Sequence, residues 1–123
     1  MKAILLPIKK EYVGLILEGK KKFEYRKRLC KQDISRIIIY ETAPTKLVVG
    51  EAIVEEMIVS SKDELWERTK QFSGTSKEFY DWYFKGRAKA CAYRLSNPIR
   101  YDYPRALETY GIRGTVQSFV YVE

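Results

Sequence analysis

The segment Arg36-Ile37-Ile38-Ile39-Tyr40-Glu41 limits the folds open to this chain more than any other. Three consecutive isoleucines with no polar alternation read as a strand buried on both faces, or nearly so, and such a strand needs cover on each side. Further strands read at Ala3–Pro7, Phe23–Arg28, Leu47–Val59, Ala88–Leu95 and Ser118–Val122. Ile99–Tyr103 is one more candidate, beyond a break at Asn97-Pro98. Helical spacing covers Lys9–Glu18, Lys62 to about Gln71, and Lys77–Lys85, with a short turn at Ala106–Tyr110. Strands and helices do not alternate regularly, which argues against a doubly wound sheet. An α+β fold fits better: a small mixed, mostly antiparallel β-barrel of about five or six strands, carrying three or four short helices.

Local signals punctuate this order. Tyr12, Leu15 and Ile16 share one helical face, and Gly19 is a good C-terminal stop, with lysines beyond it suiting the negative end of the helix dipole. Ser61 precedes Glu64 at capping-box spacing, Ser76 caps the next helix, and Ser73-Gly74-Thr75 separates the two. Thr42-Ala43-Pro44-Thr45 is a turn, and Gly50 inside a β segment marks a bulge or a close backbone approach. Phe79, Trp82 and Tyr83 have the spacing of one buried helical face. The aromatic set Trp66, Phe72, Phe79, Tyr80, Trp82, Tyr83 and Phe84 therefore reads as helix-to-barrel packing rather than a nucleotide platform.

The 123 residues fit a single domain, 1–123, with enough chain for an unaided core. No apolar run approaches the roughly 20 residues of a membrane span. Met1-Lys2-Ala3-Ile4-Leu5-Leu6-Pro7 resembles a signal start only superficially, because its apolar run is short and Lys9-Lys10 follows at once. Cys30 and Cys91 are too few for a disulfide framework or a four-thiolate metal site, so a reduced, cytoplasmic setting is expected, as a monomer or weak dimer. Arg28 and Lys31 flank Cys30 and would lower its pKa, but the chain has no histidine to serve as its base. The lack of histidine also removes the commonest zinc ligand and the usual Ser–His and Cys–His pairs. No metal and no cofactor is expected.

The first 31 residues carry ten Lys or Arg against three Glu, a local charge of +7, while the remaining 92 hold thirteen of each sign. The whole formal charge of +7 therefore arises in one N-terminal third, which suits a polyanion better than general solubility. Six of those cations stand in Gly19-Lys20-Lys21-Lys22-Phe23-Glu24-Tyr25-Arg26-Lys27-Arg28, with one carboxylate. As a strand, Phe23–Arg28 sends Phe23 and Tyr25 to one face and Glu24, Arg26 and Arg28 to the other.

Gly19-x-Lys21-x-x-Glu24-x-Arg26 resembles the G-x-K-x-x-E-x-R signature of the ASCH domain family, which has a PUA-like fold. Ile37-Ile38-Ile39-Tyr40 with Ala43-Pro44, Val49-Gly50-Glu51 and Gln117-Ser118-Phe119 are similar to that family's later strands and its Q-S-F ending, in the same order. The resemblance implies a β-barrel with a cleft beside the signature, and RNA or a nucleotide-like ligand as partner. In some relatives it implies hydrolysis of acylated pyrimidine nucleosides or of RNA. The nucleoside-hydrolysing branch carries Thr where this chain has Glu24. The hydroxyl nucleophile is then missing, and negligible amidohydrolase activity is expected.

Lys21, Glu24 and Arg26 are the leading site candidates. A lysine leaving a helix end and alternate strand residues can converge on one cleft, where the Arg fork suits a phosphate or a carbonyl-rich base edge. Glu24 can accept from an exocyclic amine, or anchor Arg26 or Lys21. By that pairing it is expected to keep Lys21 protonated. Lys20, Lys22, Lys27, Arg28 and Lys31 are candidate phosphate contacts. Tyr40 can stack on a base or be a core tyrosine, and Gln117 and Ser118 can read a base edge. If there is catalysis, Lys21, Glu24 and Glu51 are the acid–base candidates, Glu51 because burial after Gly50 would raise its pKa. A hydrolase and a protein-interaction module built on the Trp66–Phe84 helices are the competing classes.

Overall fold

The computed structural model describes residues 2–122; Met1 and Glu123, the ends of the expected domain, lie outside the described residues, and with Met1 goes the first position of the rejected signal start. Its strands are β1 (Ala3–Ile8), β2 (Phe23–Arg26), β3 (Arg36–Glu41), β4 (Leu47–Ser61), β5 (Lys89–Arg105) and β6 (Val120–Val122). Its helices are α1 (Lys10–Leu17), α2 (Lys62–Thr69) and α3 (Lys77–Tyr83), with short 3-10 turns at Lys70–Phe72 and Leu107–Tyr110. One sheet holds all six strands in the order β2-β5-β4-β3-β1-β6. Among the described residues only β1 and β3 pair in parallel, and the other pairings are antiparallel. This is the expected mixed, mostly antiparallel α+β arrangement, barrel-like without closing, with β2 and β6 at its edges.

The isoleucine strand sits where its pattern demands, between β1 and β4. Ile37 and Ile39 enter the core under α1, whereas Ile38 enters a second cluster with Leu5, Val48 and Leu107 on the other face. All three isoleucines are at most 1% exposed, each contributing about 1.5–3 kcal/mol of burial. A third cluster joins Phe23 and Tyr25 of β2 to Leu65 of α2 and Tyr80 of α3.

Two elements depart from the sequence pattern. β5 runs unbroken through Asn97-Pro98 instead of ending there. Asn97 adopts φ 48, and the pairing slips so that Ile53 faces Ser96 while Glu51 faces Ile99. An asparagine tolerates the left-handed region and a proline is tolerated at a bulge, so the dipeptide bends the strand without stopping it. Gly50 lies at the same irregular stretch, and a Cβ there would run into the Ile99 carbonyl oxygen. The second departure is α3. Tyr80 and the following Phe84 are its buried aromatics, at 1% and 0% exposed, whereas Trp82 is 68% exposed. The face Phe79–Trp82–Tyr83 is therefore not the core face that its spacing suggests. It looks onto the cleft described next.

Candidate nucleic-acid interface

Gly19 sets the geometry of the site. It takes φ +78 after α1, where the Gly19 N–H donates to the Ile16 carbonyl (3.0 Å) and the Lys20 N–H to the Leu15 carbonyl (2.9 Å). This closes the helix with a left-handed residue that glycine adopts without a Cβ penalty. The chain then turns directly into β2, and Lys21 falls inward. Its side chain is 3% exposed, Nζ donates to the Ser73 carbonyl at 2.5 Å, and it stands 5.1 and 4.9 Å from the Tyr12 and Tyr25 ring centroids. A carbonyl and two ring faces offset part of the cost of burying a cation. Gly74 allows this closure, because a Cβ at its φ of +68 would lie 2.7 Å from the Lys21 methylenes.

Three residues on, Glu24 is 6% exposed and its Oε2 accepts from Arg26 Nη2 at 3.0 Å and Nε at 3.2 Å. Arg26 Nη2 also donates to the Pro7 carbonyl at 2.6 Å, which ties β2 to β1. Glu24 Oε1 has no hydrogen-bond partner among the described residues. Glu24 thus pairs with Arg26 rather than Lys21. Burial is the main influence on the Lys21 ammonium and lowers its pKa, with the Glu24 charge opposing and Arg26 reinforcing the fall. Glu24 therefore favours the protonated Lys21, as expected of it, while desolvation is the larger influence and acts the other way.

Lys21, Glu24 and Arg26 open onto one cleft of about 490 Å³, joined there by Lys27 and Gln117. Phe79, Trp82 and Tyr83 form its aromatic wall, with Tyr12 beside Phe79 (ring centroids 6.2 Å apart), and Lys9, Thr42 and Thr75 are part of the polar lining. Lys27 Nζ sits over the Tyr83 ring at 5.2 Å. Burial raises the pKa of the Tyr83 phenol, so it remains a neutral donor. The aromatic wall was missed by sequence reasoning because α3 carries rings on both faces, so periodicity alone could not say which face is wet. Of the seven aromatics from Trp66 to Phe84, Trp82 is the one classed as exposed, and a single ring is not a broad interaction patch.

Other candidates lie elsewhere. Arg28, Lys31 and Ser118 line an adjoining groove. Lys20 pairs with Glu18 at 3.2 Å, and Lys22 lies 4.3 Å from the Phe72 ring centroid, in a separate depression. Tyr40 is 8% exposed among Leu5, Ile38 and Val48. Glu51 is held by Tyr101 Oη (2.7 Å) and Arg36 Nη1 (3.4 Å), apart from the cleft. Cys30 and Cys91 are buried thiols, and burial raises the pKa of Cys91.

The family model described as ASCH domain matches residues 6–105. An ASCH domain-containing ribonuclease of Zymomonas mobilis is 38% identical over 93 residues, which is 73% of this chain and 63% of the relative. Large ribosomal subunit protein uL22 of Ureaplasma parvum is 31% identical over 90 residues, 73% of this chain but 29% of that protein. The chain spans less than two thirds of either relative. The crystal structure of ASCH from Zymomonas mobilis matches with TM-score 0.85 at 30% identity, covering 98% of this chain and 87% of that one. A mutant of ZmASCH matches at 0.88 and 28% identity, covering 98% and 88%.

Proposed function

Since the chain belongs to the ASCH domain family, we propose that it binds single-stranded RNA through the cleft beside β2, with one base laid on Trp82. The observation that carries this reading is a tryptophan 68% exposed on the wall of a cleft that also presents Glu24, Arg26 and Lys27. An exposed indole is a stacking platform for any base, a lysine beside it meets the backbone, and the open Glu24 Oε1 accepts from an exocyclic amine. Two relatives carry names tied to RNA, a ribonuclease and a large ribosomal subunit protein. The free thiols of Cys30 and Cys91 are in keeping with action in the cytoplasm, and no described helix is long and apolar enough to cross a membrane.

Hydrolysis of the bound RNA is the second reading, favoured by the 38%-identical ribonuclease and by a lysine whose proton burial has loosened. In that reading neutral Lys21 takes the proton of the attacking hydroxyl as the new P–O bond forms, Arg26 or Lys27 meets the charge on the phosphoryl oxygens, and the 5′-oxygen leaves as its P–O bond breaks, taking a proton from water. Titrating labelled single-stranded RNA over a salt series tests the first reading. About four to six phosphate contacts give a logarithmic slope of about −3 to −4. Gel analysis of the same RNA tests the second: cleavage that disappears in Lys21→Met while binding persists supports hydrolysis, and intact RNA at saturating protein rejects it. No binding at low salt rejects both.

A further inference from the structure

We propose that the groove adjoining the cleft receives the phosphate of the neighbouring nucleotide, which makes the ligand an oligoribonucleotide rather than a free nucleoside. The inference rests on the RNA-binding reading. The groove, about 650 Å³, shares Arg26, Lys27, Tyr83 and Gln117 with the cleft, so the two form one continuous path. Beyond the shared residues its charged lining is Arg28, Lys31 and Arg87, set among apolar and aromatic side chains, and neither Asp nor Glu lines it. Lys27, Arg28, Lys31 and Arg87 form no ion pair with another described residue, so this is positive charge without a protein counterion.

Arg87 adds a second, independent observation. Its Nη2 donates to the Lys27 carbonyl at 3.2 Å, which fixes the guanidinium at the junction of groove and cleft. Its Nε is the one buried side-chain nitrogen or oxygen among the described residues that lacks a hydrogen-bond partner. The Nε itself has no surface for a ligand to reach, but the guanidinium that carries it has no carboxylate partner, and its uncompensated charge favours an anion in the groove. The other depressions suit a polyanion less well: one contains Glu55, and another is lined by Asp63, Glu64 and Glu67. The path from Trp82 past Lys27 to Arg87 is therefore the course on which stacking, phosphate contact and uncompensated charge coincide.

The test measures binding of a fluorescently labelled, mixed-sequence six-nucleotide RNA and of the four unlabelled ribonucleosides to the whole chain and to two variants. Arg28→Ala/Lys31→Ala changes two exposed side chains, so it leaves the fold intact; Arg87→Gln removes the junction cation. The hexamer is expected to bind the double variant about tenfold or more weakly. Its salt slope should be shallower by about 1.4, from about 0.7 per lost contact. Nucleoside affinity stays unchanged. A hexamer affinity and slope unaltered in the double variant would overturn the proposal, as would nucleosides binding as tightly as the hexamer; both outcomes leave the cleft reading standing. Failure of the wild-type chain to bind either probe overturns the cleft reading and the groove with it.

Discussion

Replacing Trp82 by alanine should separate binding from stability. The indole is 68% exposed and its one close ring neighbour is Phe79, at 5.6 Å with a 44° tilt. Losing such a pair costs at most about 0.5–1.5 kcal/mol, and little apolar burial is lost with it. In the proposed complex the same ring carries a base, worth about 1–3 kcal/mol, which corresponds to roughly 5- to 150-fold in Kd. Tyr80→Ala is the contrasting variant. Its ring is 1% exposed, and excising a core aromatic costs about 3–5 kcal/mol. Fluorescence anisotropy with labelled RNA, alongside urea denaturation of each variant, reads both quantities. Trp82→Ala should retain a near wild-type midpoint and lose affinity. An affinity within twofold of wild type, or a midpoint as low as that of Tyr80→Ala, would refute the reasoning.

Three further expectations concern the floor of the cleft. Tyr25→Phe should cost about 1 kcal/mol: Thr69 Oγ1 already donates to the Leu65 carbonyl (2.7 Å), so the Tyr25 hydroxyl is the donor in its 2.6 Å bond to Thr69, and Thr69 keeps its own bond. Burial pushes the Tyr25 phenol from 10.0 up to about 12; a raised folded pKa means stability fully present below pH 10 and lost as pH climbs towards 12, so Tyr25→Phe should show a shallower alkaline decline in urea titrations. Lys21 should titrate below the other lysines in NMR of the lysine side chains, and lower still in Glu24→Gln, which removes the charge that raises its pKa; an upward shift there would contradict the assigned electrostatics. Because its folded pKa is depressed, fewer protons bind in the folded state over that window, and the Lys21 contribution to stability should grow as pH rises through it. Gly74→Ala should destabilise more than Gly114→Ala, since both have positive φ but only the former meets Lys21; equal losses in thermal melts would count against the close packing of the Gly74 turn.

The convergence of Lys21, Glu24 and Arg26 was legible because two simple periodicities fix it. A glycine-stopped helix delivers Lys21 to the strand start, and two-residue alternation puts Glu24 and Arg26 on one side. The isoleucine strand was legible for the same kind of reason, since nothing polar interrupts it. Arg28 escaped because β2 ends at Arg26, where its pairing with Cys91 of β5 stops; parity carries no information past the last ladder residue. Tyr40 could be a base platform or a core ring by composition alone, and register against Val48 puts it in the core. Trp82 depends on which face of α3 meets the sheet, a tertiary choice between two aromatic faces that local spacing leaves undecided, and Arg87 is placed by its bond to the Lys27 carbonyl 60 residues away. Glu51 follows the same logic: its partners Arg36 and Tyr101 lie 15 and 50 residues away, and only strand pairing brings them together.

A crystal structure of the chain with a single-stranded six-nucleotide RNA tests the central claim most directly. The account expects one base stacked on Trp82 with its edge towards Glu24 and Gln117, and backbone phosphate beside Lys27. RNA bound elsewhere, for example across the exposed Ile99 and Tyr103 of β5 with the cleft empty, would contradict it.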